Sequence, residues 1–189
     1  MPKIVDAVQY RRELLSKCFD LFAEKGYANV TTRQIAKELG VSTGTLYHYF
    51  PNKQVLFEQL AEQVSLQDVE ILQKVDKDRD ISQRIIDLGQ LLIDHQDYII
   101  KQAAIWLDFR QHCSAREVSD NVVFQQIDLR YERAIAELLD LEDSQIASFI
   151  WASIDGIAIA QLDRQTNFVT QIELLTQMLI AYFEKHILT

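Results

Sequence analysis

Residues 31–53 read T-T-R-Q-I-A-K-E-L-G-V-S-T-G-T-L-Y-H-Y-F-P-N-K, and this stretch decides the fold class of what surrounds it. Thr31 followed three residues later by Gln34 is a capping box, in which each side chain satisfies the other's backbone N–H. The box opens a short helix with Ile35, Ala36 and Leu39 on its inner face. Gly40 then supplies the left-handed conformation that glycine alone adopts cheaply. Val41 plugs the turn, Ser42 caps a second short helix over 43–49, and Pro51 ends it. Ala36, four residues before Gly40, is small enough for the two helices to approach. Two short helices joined by a glycine turn match the helix-turn-helix, whose second helix lies in the major groove of DNA.

On that second helix Thr43, Gly44, Thr45, Tyr47, His48 and Tyr49 are the outward positions. They are small, hydroxyl-bearing or aromatic, which suits base edges and phosphate oxygens. Upstream, a helix is predicted from about Asp6 to Lys25, with Leu15, Cys18, Phe19 and Phe22 on one face and Gly26 at its stop.

Outward from this head the chain stays helical. Beyond Pro51 there is no proline, and no hairpin turn is flanked by alternating apolar residues. A long helix over about 53–75 leads from head to body, and Ile81, Ile85, Leu88 and Leu92 mark the next. Another spans about 97–112. Ser114 and Glu117 form a second capping box, predicted to start a helix that reaches Leu139. From about 143 to 162 apolar residues fall on every side, which requires burial on every side. With the final helix over about 170–186 it makes a hydrophobic terminal pair, expected to form a subunit interface with Ile157 and Leu179 at its seam. The expectation is an all-α protein: a three-helix helix-turn-helix head over 1–53 and a helical body over 54–189, with a two-helix dimerisation face.

Composition agrees and excludes alternatives. With 48% hydrophobic and 25% charged residues, the 189-residue chain can bury a core without disulfides or metal. The net charge of −9 is unevenly spread: residues 1–53 hold eight Lys/Arg against five acids, and the remainder 11 against 23. A basic head on an acidic body suits a polyanionic partner for the head alone. Cys18 and Cys113 form no C-x-x-C pair, and the start of the chain has no apolar run before its charges. No stretch reaches the roughly 18 apolar residues of a membrane span. A cytoplasmic protein without membrane contact is expected.

Residues 8–68 resemble the N-terminal domain of the TetR family of repressors, through T-T-R-x-I-A-x-x-L-G-V-S, G-T-L-Y-x-Y-F and the N-K that follows. Pro51 stands where a charged residue is more common. Residues 69–189 resemble the family only in length, helicity and the apolar terminal pair. The resemblance implies phosphate contacts by Thr32, Tyr47 and Lys53, and a base contact by Arg33. It implies groove-facing positions at Thr43, Gly44, Thr45 and Tyr49, and core positions at Leu46 and Phe50. It further implies a homodimer on a double-stranded operator, with a small apolar effector in the body.

For that effector the sequence offers Trp106, Phe109, Arg110, Phe124, Tyr131, Trp151 and Asp155, polar groups set among aromatic helices. Asp155 can equally meet a partner at the dimer seam beside Gly156. No nucleotide-binding glycine motif, zinc-protease motif or nucleophile elbow is present, and no histidine follows a Glu by three residues. Asp108 and His112 share a helix face but have no third ligand, so a surface or capping role is expected. Neither cofactor nor metal is expected, and no enzyme activity. A helical enzyme or metal-binding bundle, and a DNA-binding regulator without a ligand, stay open as alternatives.

Overall fold

The computed structural model describes residues 7–163 and 166–187, with side chains through residue 185. Among the described residues ten helices follow one another: α1 Ala7–Lys25, α2 Thr32–Glu38, α3 Thr43–Tyr49, α4 Lys53–Leu72 and α5 Ile81–Asp94, then α6 Gln96–Gln111, α7 Ala115–Ser119, α8 Val122–Leu139, α9 Ser144–Ala160 and α10 Phe168–Ile187. No strand occurs among them, so the fold is all-α as the sequence requires. No helix there is long and apolar enough to cross a membrane. Asp6, expected to begin the first helix, lies outside the described residues.

Packing divides the chain into two compact units, and they do not follow the boundary at residue 53. The first takes the chain up to Leu66 together with Ile105–Ile127; the second takes Gln67–Ala104 and the chain from Asp128 onward. In the first unit Leu14, Leu15, Cys18, Leu21 and Phe22 of α1 are buried with Ile35, Ala36, Leu46, Phe50 and the first turns of α4. An aromatic cluster extends this core: Phe57 stacks on Phe109 at 4.1 Å, and Trp106 and Phe124 meet edge to face at 5.0 Å. Residues 105–127 therefore supply apolar area to the head, which is why the compact unit extends beyond residue 53.

The second unit closes around Ile85, Leu88, Ile135, Leu138, Ile150, Ile154, Leu175, Leu179 and Phe183. Here α5 lies against α10 closely enough that a Cβ on Gly89 would collide with the Thr176 hydroxyl. Arg84 is buried in this unit, donates to the Leu138 carbonyl at 2.8 Å and pairs with Asp140 at 2.8 Å. That side chain closes the C-terminus of α8, whose last carbonyls have no intrahelical donor.

Several expectations need correction. The helix from Ser114 does not run to Leu139: it ends at Ser119, and a new one starts at Val122. The break follows from Asn121, whose side-chain oxygen takes the Val123 N–H at 2.9 Å and competes with the helix ladder. The helix from Lys53 stops at Leu72 rather than Val75. Within one chain α9 is not buried on all sides, since Phe149 is 63% exposed and Gly156 is open. Leu179, expected at a subunit seam, is buried in the unit's own core, and Ile157 packs against it.

Candidate nucleic-acid interface

Both ends of the helix pair are built as the sequence demands. Thr31 Oγ1 accepts from the Gln34 N–H at 3.3 Å, and Gln34 Oε1 accepts from the Thr31 N–H at 2.8 Å. Ser42 Oγ accepts from the Thr45 N–H at 2.9 Å and shares a hydrogen bond with the Thr45 hydroxyl. Between them Gly40 has φ of +69°, which costs a residue with a Cβ about 1–2 kcal/mol. The Val41 N–H closes the turn on the Ala36 carbonyl at 2.9 Å. Leu46 and Phe50 are fully buried, so α3 is held by its inner face and its outer face is fixed in orientation.

That outer face carries the residues expected to meet DNA. Arg33 on α2, with Thr43, Gly44, Tyr47 and His48 on α3, is exposed; Thr32, Thr45 and Tyr49 are half-buried. Tyr47 is 52% exposed, a large ring that the protein itself does not cover. Tyr49 is committed in part to the head, edge-on to Tyr10 at 5.6 Å with the Arg11 guanidinium 5.9 Å from its ring. Lys53 is also engaged. Its ammonium donates to the Tyr27 carbonyl at 2.9 Å and lies 4.1 Å from the Tyr27 ring centroid. Burial lowers its pKa, and the nearby Asp108 carboxylate opposes that shift. An ammonium has three donors, so two remain for another acceptor.

Gly44 separates what the fold needs from what it does not. A Cβ there would meet only Ser42 Oγ, at an ordinary 3.7 Å, and its backbone is helical. Glycine within a helix costs roughly 0.5–1 kcal/mol relative to alanine. Among the described residues no neighbour demands that cost.

The residues expected to hold an effector are divided between the units. Trp106, Phe109 and Phe124 join the head's aromatic cluster, with Phe109 and Phe124 buried, and Arg110 points outward as an exposed residue. Tyr131 and Trp151 belong to the second unit and stack at 3.9 Å, and Asp155 is half-buried one turn beyond Trp151.

A polar centre that sequence reasoning missed lies beside that stack. Asp68 of α4 accepts from the Tyr131 hydroxyl at 2.6 Å, from Gln102 at 3.0 Å and from the Tyr98 hydroxyl at 3.0 Å. Its pKa is raised because burial outweighs the three hydrogen bonds and the nearby His95, which all favour the charged form. Burial also raises the Tyr98 and Tyr131 phenols, and the Asp68 charge raises them further. No Lys or Arg pairs with Asp68 among the described residues. A signal was available: along α4 Phe57, Leu60, Ala61 and Val64 form the inner stripe, and Asp68 falls on its next position.

Comparison with known proteins agrees with this geometry. Residues 14–60 match the family of bacterial regulatory proteins of the tetR type. The chain is 27% identical over 128 residues to the uncharacterized HTH-type transcriptional regulator YvkB of Bacillus subtilis, covering 68% of this chain and 62% of that protein. It is 37% identical over 75 residues to the nucleoid occlusion factor SlmA of Mannheimia succiniciproducens, 39% of this chain and 35% of that one. It thus spans less than two thirds of both relatives. The crystal structure of the transcriptional regulator FadR from Bacillus subtilis, in complex with stearoyl-CoA, superimposes with a TM-score of 0.68 at 21% identity, covering 89% of this chain and 96% of that one. At that identity the likeness concerns the fold. The helix-turn-helix head over residues 14–60 is thus of the tetR type of bacterial regulatory proteins.

Proposed function

We propose that this protein is a sequence-specific DNA-binding transcriptional regulator that works as a homodimer and is released from its operator by a small effector. The observation that carries the reading is the outer face of α3, rigidly capped and anchored, with an uncovered tyrosine and a glycine that the fold does not require. Phosphate contacts by Thr32, Tyr47 and Lys53 supply most of the affinity, and Arg33 with residues 43–49 reads sequence. Lys53 reaches phosphate only with the donors that Tyr27 leaves free, so it is assigned the weakest of these contacts.

Dimerisation is assigned to α9 and α10. Phe149 at 63% exposed, Met178 at 58%, Leu174 at 49% and Tyr182 at 40% are large apolar groups left outside the core of one chain. Gly156 of α9 has nothing within 4 Å of an added Cβ, as at a place where another helix comes close. Two heads on a symmetric dimer call for a pseudo-palindromic operator.

The effector is assigned to the second unit. Of the residues expected from sequence, Tyr131 and Trp151 are retained there, and Asp68 with Tyr98 and Gln102 is assigned as the polar anchor in place of Asp155. The Asp68 carboxylate is held by three donors of its own unit but by no Lys or Arg among the described residues, and a cationic or donating group on the effector would offset its burial. An apolar molecule with one cationic or donating group suits it. FadR, solved with stearoyl-CoA, supports a small molecule in a body of this fold.

The test is binding of purified protein to duplex DNA upstream of its own gene, followed by fluorescence anisotropy across salt. Sequence-dependent binding with a steep salt slope is expected. Equal, weak binding to all duplexes would reject the regulator reading.

A further inference from the structure

The α6 residues Asp108 and His112, which share a helix face, acquire a role from the loop they meet. Asp108 Oδ2 accepts the Ala28 N–H at 3.1 Å, eighty residues away in sequence and within the same compact unit. The Ala28 N–H has no backbone acceptor among the described residues, so Asp108 is what satisfies it. Gly26 fits the same oxygen closely: its φ is +77°, and a Cβ there would stand 3.1 Å from it. On the other side of the loop Lys53 Nζ donates to the Tyr27 carbonyl at 2.9 Å. The Tyr27 ring is held edge-on by Phe109 at 4.9 Å and by Phe57 at 5.0 Å. Two neighbouring residues of α6 thus grip two neighbouring residues of the loop. His112 in turn approaches Asp108, its Nδ1 2.7 Å from the Asp108 carbonyl and 3.7 Å from the carboxylate.

The gripped loop leads directly into the reading head. Asn29 and Val30 separate Ala28 from Thr31, the capping residue of α2, and Val30 is buried. With so short a tether, the point where Ala28 is held fixes where α2 begins, and α2 carries α3 through the Gly40 turn. We propose that Asp108 is a positioning residue for DNA binding: by holding the Ala28 N–H it sets the entry of α2 and hence the placement of the reading helix. The inference rests on the DNA-binding reading for its affinity arm only.

The experiment compares the full-length protein with Asp108→Ala, which removes the acceptor, and Asp108→Asn, which keeps a side-chain oxygen at the same reach. Amide hydrogen exchange at Ala28 and along α2 is read together with affinity for a selected operator duplex. In the parent and in Asp108→Asn, Ala28 should be protected although it lies outside any helix. In Asp108→Ala that protection should vanish, α2 should exchange faster while α10 does not, and operator affinity should fall about tenfold, the order of one hydrogen bond to a charged group. Asp108→Asn should keep affinity within about threefold of the parent, since only charge assistance is lost. If Asp108→Ala does not fold, Asp108→Ser removes the reach with less loss of polarity and is read the same way.

Unprotected Ala28 in the parent would overturn the proposal, as would loss of protection without loss of affinity. Equal losses in the Ala and Asn variants would also overturn it. If the parent binds no duplex, the DNA-binding reading fails, while Ala28 exchange still decides whether Asp108 holds the loop.

Discussion

Gly44→Ala should make the protein more stable and a poorer DNA binder at the same time. The added methyl meets only Ser42 Oγ at 3.7 Å, so it enters open space with no neighbour to displace. The backbone is helical there, and the alanine recovers a few tenths to about 1 kcal/mol of the glycine cost. For a chain of this size that corresponds to a melting temperature higher by about 1–4 °C. The methyl also projects from the first turn of α3, on the face that carries Thr43 and Tyr47. If that face lies in the groove, the methyl occupies space that base edges or sugar-phosphate need, and operator affinity falls about tenfold or more. Gly40→Ala, four residues earlier, is the internal contrast. It too has empty space around an added Cβ, but φ of +69° makes it strained, so it should lower the melting temperature. Thermal melts followed by circular dichroism, with anisotropy on a fluorescent operator, measure both quantities on one preparation. Gly44→Ala binding DNA as tightly as the parent would refute the placement of α3 in the groove, and a lowered melting temperature would refute the reading of open space.

The body carries three further expectations. Gly89→Ala should destabilise by about 1–3 kcal/mol in urea unfolding, because the Thr176 hydroxyl must leave its bond to the Ile172 carbonyl to make room. An unchanged midpoint would mean that α5 and α10 are not in close contact. Phe149→Glu together with Met178→Glu should give a monomer with intact helicity in analytical ultracentrifugation, since both side chains lie outside the core of one chain. A stable dimer would move the interface elsewhere. Asp68 holds a proton more tightly folded than unfolded, so its contribution is most favourable at low pH and diminishes as pH rises from the unfolded value through the raised folded one. Asp68→Asn, which keeps the shape and removes the charge, should therefore gain stability relative to the parent as pH rises. A gap that closes on raising the pH would refute the reading that burial outweighs the hydrogen bonds to this carboxylate.

The head was legible because each of its constraints is local. Thr31, Gln34, Gly40 and Ser42 act within four residues of themselves, so caps, turn and inner face could all be read from one segment. The body was legible only as helices. Asn121 ends one helix and begins another through a side-chain bond that a periodic apolar pattern does not record. Asp68 stood visibly out of place on the apolar stripe of α4, but its partners come from α6 and α8, 30 and 63 residues away. No spacing rule joins them. Asp155 drew attention as a lone charge in an apolar stretch, whereas the three-donor centre formed on Asp68, in a stretch that also holds Glu62, Gln63, Gln67 and Glu70. Lys53 shows the same limit: its place at the start of α4 was clear, and its engagement with Tyr27 was not.

Whether the heads read DNA as a symmetric pair is tested most directly by selection from random duplexes followed by footprinting. The predicted result is an enriched site with two inverted halves, their centres about 34 Å apart or somewhat more along one face of the duplex, protected at a stoichiometry of two chains or a multiple of two. An enriched site without inverted symmetry, protected by one chain, or no enrichment over random DNA at low salt, would contradict it.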